Sequence, residues 1–180
     1  MTPFDWVAPG SRRRLLVVLT VALAGLSVAL TWLGAPLATP EAPRGILSFE
    51  FAGSNANAAR MVASWGPEAR AAAHTTLGLD YLYLLVYPAW FSLACVRLAA
   101  RRRGALARLG LWAAWAVWAA SPLDAVENAA LLGLLGEAPA DGLAALAFAC
   151  AAPKFAVVGA AALYLIVGLV ARGAGPDGDP

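Results

Sequence analysis

The only lysine of the chain, Lys154, lies in "ACAAPKFAVV", inside a run from 143 to 171 that carries no other charge. An ammonium at the centre of an apolar helix costs about 2.5 to 3.5 kcal/mol even on the lenient insertion scale, so it calls for a partner of opposite charge. "SPLDAVENAALL" supplies candidates: Asp124, Glu127 and Asn128 stand at i, i+3 and i+4 and share one helical face, with Ser121 one turn before them. In "LDYLYLLVYP", Asp80, Tyr83 and Tyr87 form a second polar stripe of the same kind. Three acids facing one lysine leave surplus negative charge, which a shared proton or a bound cation must offset.

These residue types allow three chemistries. As structure alone, Lys154 pairs with Asp124 or Glu127 and fixes the register of two helices. As catalysts, Asp124 or Glu127 would act as general acid or base while Lys154 stabilises developing negative charge. As a ligand site, Asp80, Tyr83, Tyr87, Asp124, Glu127, Asn128 and Lys154 would together receive a polar group, with Lys154 keeping its charge to meet an anionic or polar headgroup.

The elements that must position these side chains follow from composition. Hydrophobic residues make up 61% of the 180, charged residues 13%, and the mean hydropathy is +0.70. That leaves too little polar surface to cover a soluble globule of this length. Four runs, 15–33, 75–98, 109–135 and 143–171, match the ~20 residues that cover a hydrocarbon core. The expected fold is an all-α integral membrane protein: a bundle of four transmembrane helices in one membrane domain spanning 1–180, with a short amphipathic helical cap on the outer side. Pro88 and Pro153 are read as bends within their spans rather than ends.

Arginine sets the expected orientation. Arg12 to Arg14 precede the first span, Arg101 to Arg103 and Arg108 separate the second from the third, and Arg172 follows the fourth. By the positive-inside rule both termini are cytoplasmic, as in a bacterial inner-membrane protein. The opening "SRRRLLVVLTVALAG" also resembles a signal sequence, but its apolar run exceeds the ~7 to 15 residues of a signal core and is read as an uncleaved anchor. Thr20, Ala24, Ser27 and Thr31 on one face of that span predict packing into the bundle.

The connection 36–74 contains the predicted cap, over 47–73. Ser54 or Asn55 can start a helix to about Trp65 that presents Ala58, Met61, Val62 and Trp65 on one side, and Pro67 with Glu68 starts another that runs into the second span. Counting from the predicted outer ends puts Lys154, Asp124, Glu127 and Asp80 at comparable depth, beneath that cap. Small residues Ala147, Cys150, Ala151 and Ala161 around Lys154 permit close helix approach.

Several functions are disfavoured. Cys95 and Cys150 fall at different depths with no CxxC pair, a single histidine excludes a bis-histidine haem site, and no phosphate-binding or dinucleotide motif occurs, so no cofactor and no metal are expected. His74 is read as an interfacial polar residue, and Glu50, between Phe49 and Phe51, as an exposed loop carboxylate, with reach into the cluster from above as its alternative. Trp112 and Trp115 are read as belt anchors at one interface, Trp32 and Trp65 at the other. Without a basic face carrying interleaved aromatics, no nucleic-acid partner is expected. The expected function is binding of a membrane lipid, a small amphiphile or a partner membrane protein's helix at the polar cluster. The alternatives are an intramembrane acid–base enzyme acting on a lipid-like substrate and a proton-coupled small carrier.

Overall fold

The computed structural model describes residues 2–136 and 138–170. The expectations for Glu137, Ala171 and Arg172 lie outside the described residues. Among the described residues six α-helices follow one another: α1 (Arg12–Leu33), α2 (Ile46–Glu50), α3 (Asn55–Ser64), α4 (Pro67–Ala99), α5 (Gly104–Leu134) and α6 (Leu143–Val170), with a 3-10 turn at Ala35–Leu37. Among the described residues α1, α4, α5 and α6 are long and apolar enough to cross a membrane, as a four-helix membrane bundle requires. The predicted spans are therefore found; α4 includes the helix expected from Pro67, and α5 begins five residues earlier than its predicted span. Pro67 at the first turn, with Glu68 beside the helix dipole, starts α4 eight residues before the predicted span, and the helix runs on without a break.

Packing is uneven. α5 lies along both α4 and α6, whereas α4 and α6 approach each other much less and α1 packs on α4. At the arginine end the approach is close. A Cβ added to Gly110 would stand 2.9 Å from Ala99 Cβ, and Arg102 donates to the Gly168 carbonyl. Pro88 sits inside α4, where it cannot bond the carbonyl four residues back. The Ser121 hydroxyl of α5 donates to that carbonyl, Leu84 O, at 2.9 Å. Ser121 thus belongs to the proline bend rather than to the polar stripe beside it.

α1 meets α4 partly through the expected face. Leu15, Leu16, Leu19 and Leu23 carry its apolar contacts, Ser27 lies 3.4 Å from the Tyr83 hydroxyl, and Thr20 accepts from the Trp90 indole at 2.8 Å. Ala24 and Thr31 are exposed, and the Thr31 hydroxyl bonds the Ser27 carbonyl of its own helix.

The connection between α1 and α4 folds over one end of the bundle. The Ser54 side chain caps α3 by accepting from Asn57 N, and Asn55 clamps the start of α6, donating to Ala140 O at 2.9 Å and accepting from Ala144 N at 3.1 Å. Leu37, Phe49, Ala58 and Trp65 from this segment join Leu77, Leu131 and Ala147 of the long helices in one core cluster. Trp65 is accordingly a core residue, not an interfacial anchor: it is 2% exposed, its indole donates to Leu37 O, and its ring meets Phe49 edge-on at 5.1 Å. Trp32 and Trp112, at 76% and 75% exposure, do stand on the bundle surface.

Candidate functional site

Lys154 is buried where α6 faces α5, and its ammonium is paired with carboxylates of α5 and α2. Its Nζ lies 2.9 Å from Asp124 Oδ1, 2.8 Å from Glu127 Oε2 and 3.9 Å from Glu50 Oε2, and it stands 4.7 Å from the centre of the Phe155 ring. The i, i+3 spacing of Asp124 and Glu127 presents both carboxylates to one ammonium. Ala147, Cys150, Ala151 and Ala161 on the same side of α6 are all buried, so the helices come close enough for the short carboxylates to reach.

Glu50 reaches the cluster from above, the less favoured of its two readings in sequence. Its side chain is 13% exposed, not a free loop carboxylate. α2 begins after Gly45, whose φ of +56° starts a tight turn against Leu37, and Gly53 at φ +68° ends the segment. Phe49 points into the cap core against Trp65. Phe51 leans on Phe148 and Phe155 of α6, at ring separations of 5.8 and 5.5 Å. Held between these two anchors, the carboxylate is directed down onto Lys154. The only signal in the sequence is an acid between two phenylalanines.

Asp80 belongs to the same group through a different contact, accepting from the Asn128 side-chain amide at 2.7 Å. Tyr83 and Tyr87 follow it along α4 with rings 5.5 Å apart. The Tyr87 hydroxyl is buried and has no hydrogen-bond partner among the described residues. His74 is exposed on α4 and outside the cluster.

Where α4 and α6 diverge, a cavity of about 220 Å³ remains. Its lining comprises Asp80, Tyr83, Tyr87 and Phe91 of α4, Asp124 of α5, Lys154, Phe155 and Val158 of α6, and Glu50 above. Phe155 is 42% exposed and stands at its edge, and the lining residues of α4 and α6 lie along the middle of those helices rather than at their ends. Glu127, 0% exposed, and Asn128 lie behind the lining, where they hold Lys154 and Asp80. The cavity therefore has a polar end with three carboxylates and one ammonium, continued by an aromatic and aliphatic wall.

Glu50 lies outside the long helices, and burial pushes its carboxyl up from the ordinary 4.5 to about 8, against the opposing pull of Lys154. The other charged groups facing it are Asp124 and Glu127 of α5 and Asp80 of α4, which add to the rise.

The fold is that of a multi-pass helical membrane protein. Comparison with known proteins finds no match: no protein-family model, no curated protein and no solved structure resembles the chain.

Two outcomes follow from this geometry. Lys154→Met strands Asp124 and Glu127 without their counter-charge and is expected to destabilise the protein by roughly 3 to 5 kcal/mol in unfolding experiments in detergent. Adding Asp124→Asn is expected to recover part of that loss, and strict additivity of the two changes would contradict the contact. For Glu50 the folded state binds the proton more tightly than the unfolded chain. Its stabilising contribution is therefore complete below about pH 4.5 and fades as pH rises through about 8. Glu50→Gln is expected to flatten this part of the decline in melting temperature between about pH 5 and pH 8, and an unchanged slope would count against a buried, protonated Glu50.

Proposed function

We propose that this protein binds the polar group of a lipid or small amphiphile in the cavity between α4 and α6, with the apolar tail lying along the groove in the bilayer. In this reading it resides in a bacterial inner membrane with both termini cytoplasmic, and the cap formed by α2 and α3 covers the outer side. The charged residues then lie in the outer half of the membrane. One observation carries the proposal: a single cavity joins a carboxylate-rich end to an apolar wall of Phe91, Phe155 and Val158, with the part-exposed Phe155 at the edge where a lipid would enter.

Binding is favoured over proton-coupled transport by the distribution of acids. The halves of α1, α4, α5 and α6 nearer the arginines carry no carboxylate, so a proton relay through the bundle has no second station. An acid–base reaction on the bound molecule would use the same cavity, with Asp124 lining it and Glu127 reached only through Lys154.

Native mass spectrometry of protein purified in a mild detergent tests the reading. The wild-type chain is expected to retain a bound lipid or amphiphile, and a folded Val158→Trp variant, whose indole fills the cavity, is expected to lose it. Equal retention by both would remove the cavity as the site. For orientation, a cysteine introduced in the 101–108 connection is expected to react only from the cytoplasmic side, and labelling from outside would reverse the topology.

A further inference from the structure

The polar end of the cavity offers acceptors and almost no donors. Lys154, the one cation, is committed to Asp124 and Glu127, with Glu50 and the Phe155 ring as its remaining neighbours. The Asn128 amide is committed to Asp80. By contrast, one oxygen of Asp80 and one of Asp124 receive no side-chain or backbone donor among the described residues. Glu50 Oε2 likewise has no hydrogen-bond partner.

Asp124 and Glu127 already outweigh the single charge of Lys154, so an anionic headgroup placed there would meet net repulsion, and displacing either carboxylate would leave it buried and unpaired. This reverses the expectation that Lys154 receives an anion. The Tyr87 hydroxyl supplies an independent observation, since the side chain is 4% exposed, lines the cavity and has no partner. A buried polar group in that state costs free energy until something completes its hydrogen bonding.

From this arrangement, and resting on the amphiphile-binding reading above, we infer that the occupant's headgroup is a cation: an alkylammonium whose charge is met by Asp80 and Asp124, with a Glu50 oxygen as a further acceptor. Its N–H groups donate to the free carboxylate oxygens and to the Tyr87 hydroxyl, while Tyr83 and Phe91 present aromatic faces beside the charge. The cation also offsets the negative charge that Lys154 leaves unbalanced. A volume of about 220 Å³ accommodates an ammonium group with its first few methylenes, and the remaining chain leaves past Phe155 and Val158 toward lipid.

The test uses the full chain in detergent and four probes of one chain length: n-octylammonium, octyltrimethylammonium, octyl sulfate and octyl glucoside. Binding is followed by calorimetry and by the shift in melting temperature. Octylammonium is expected to bind and stabilise the wild-type protein, octyltrimethylammonium to bind more weakly because it has no N–H to donate, and the anionic and neutral probes not to bind. Asp80→Asn leaves the Lys154 ion pairs in place and is expected to weaken octylammonium binding about tenfold or more, the loss of one charge-assisted contact. Tyr87→Phe, which removes only the unpartnered hydroxyl, is expected to weaken it several-fold and serves if Asp80→Asn does not fold.

Binding of octyl sulfate or octyl glucoside with octylammonium ignored would overturn the cation inference while leaving an amphiphile site in place. Octylammonium binding that both variants leave unchanged would overturn the assignment to this cavity. If no probe binds and no lipid copurifies with the wild-type chain, the amphiphile-binding reading fails and this inference falls with it.

Discussion

The arrangement turns on one ammonium that cannot reach water. Lys154 is buried on a helix with no other charge, and moving such a group from water costs several kcal/mol unless charge and hydrogen bonds are supplied in its place. They come from two places. Asp124 and Glu127 bind it from α5, which fixes the register of α5 against α6, and Glu50 approaches from above, which couples the cap to the bundle. A shift of either helix by one residue would swing these side chains about 100° away from one another. The ion cluster therefore specifies the pairing more sharply than the apolar contacts around it, which a sliding alanine surface would tolerate.

The cap is the second requirement. A three-residue 3-10 turn and two short helices could not hold a carboxylate in a defined place by themselves, since helices of five and ten residues are marginal in isolation. They are held by the core cluster of Leu37, Phe49, Trp65 and Leu131 and by Asn55, whose side chain bonds the backbone at the start of α6 on both its donor and acceptor sides. Glu50 is thus positioned by aromatic packing on both flanks rather than by its own hydrogen bonds.

The cavity arises from unequal helix approach. Small residues and the Ser121 bond at the Pro88 bend keep α5 close to both partners, whereas α4 and α6 carry Tyr83, Tyr87, Phe91 and Phe155 on the sides that face each other and stay apart. The volume so produced is walled by aromatic rings and ends at carboxylates, an arrangement that pure structural stabilisation does not require.

Much was legible in the sequence because the signals were one-dimensional. Apolar length determined the four long helices, the i, i+3 and i+4 spacing determined that Asp124, Glu127 and Asn128 share a face, and a lone lysine in an apolar run required an acid on a neighbouring helix. Ser54, Pro67 and Glu68 determined where two helices of the connection begin, because caps and first-turn preferences are local. Only the tertiary structure decided that leucines join Thr20 and Ser27 in docking α1 on α4, that Trp65 is core, that Ser121 serves the carbonyl freed by Pro88, and that Glu50 completes the Lys154 shell. In each case the local pattern left two environments of similar cost, and the choice was made by what stood opposite: a free carbonyl at Leu84, an indole slot beside Leu37, and a buried ammonium within reach of a carboxylate that sequence spacing places more than one hundred residues away.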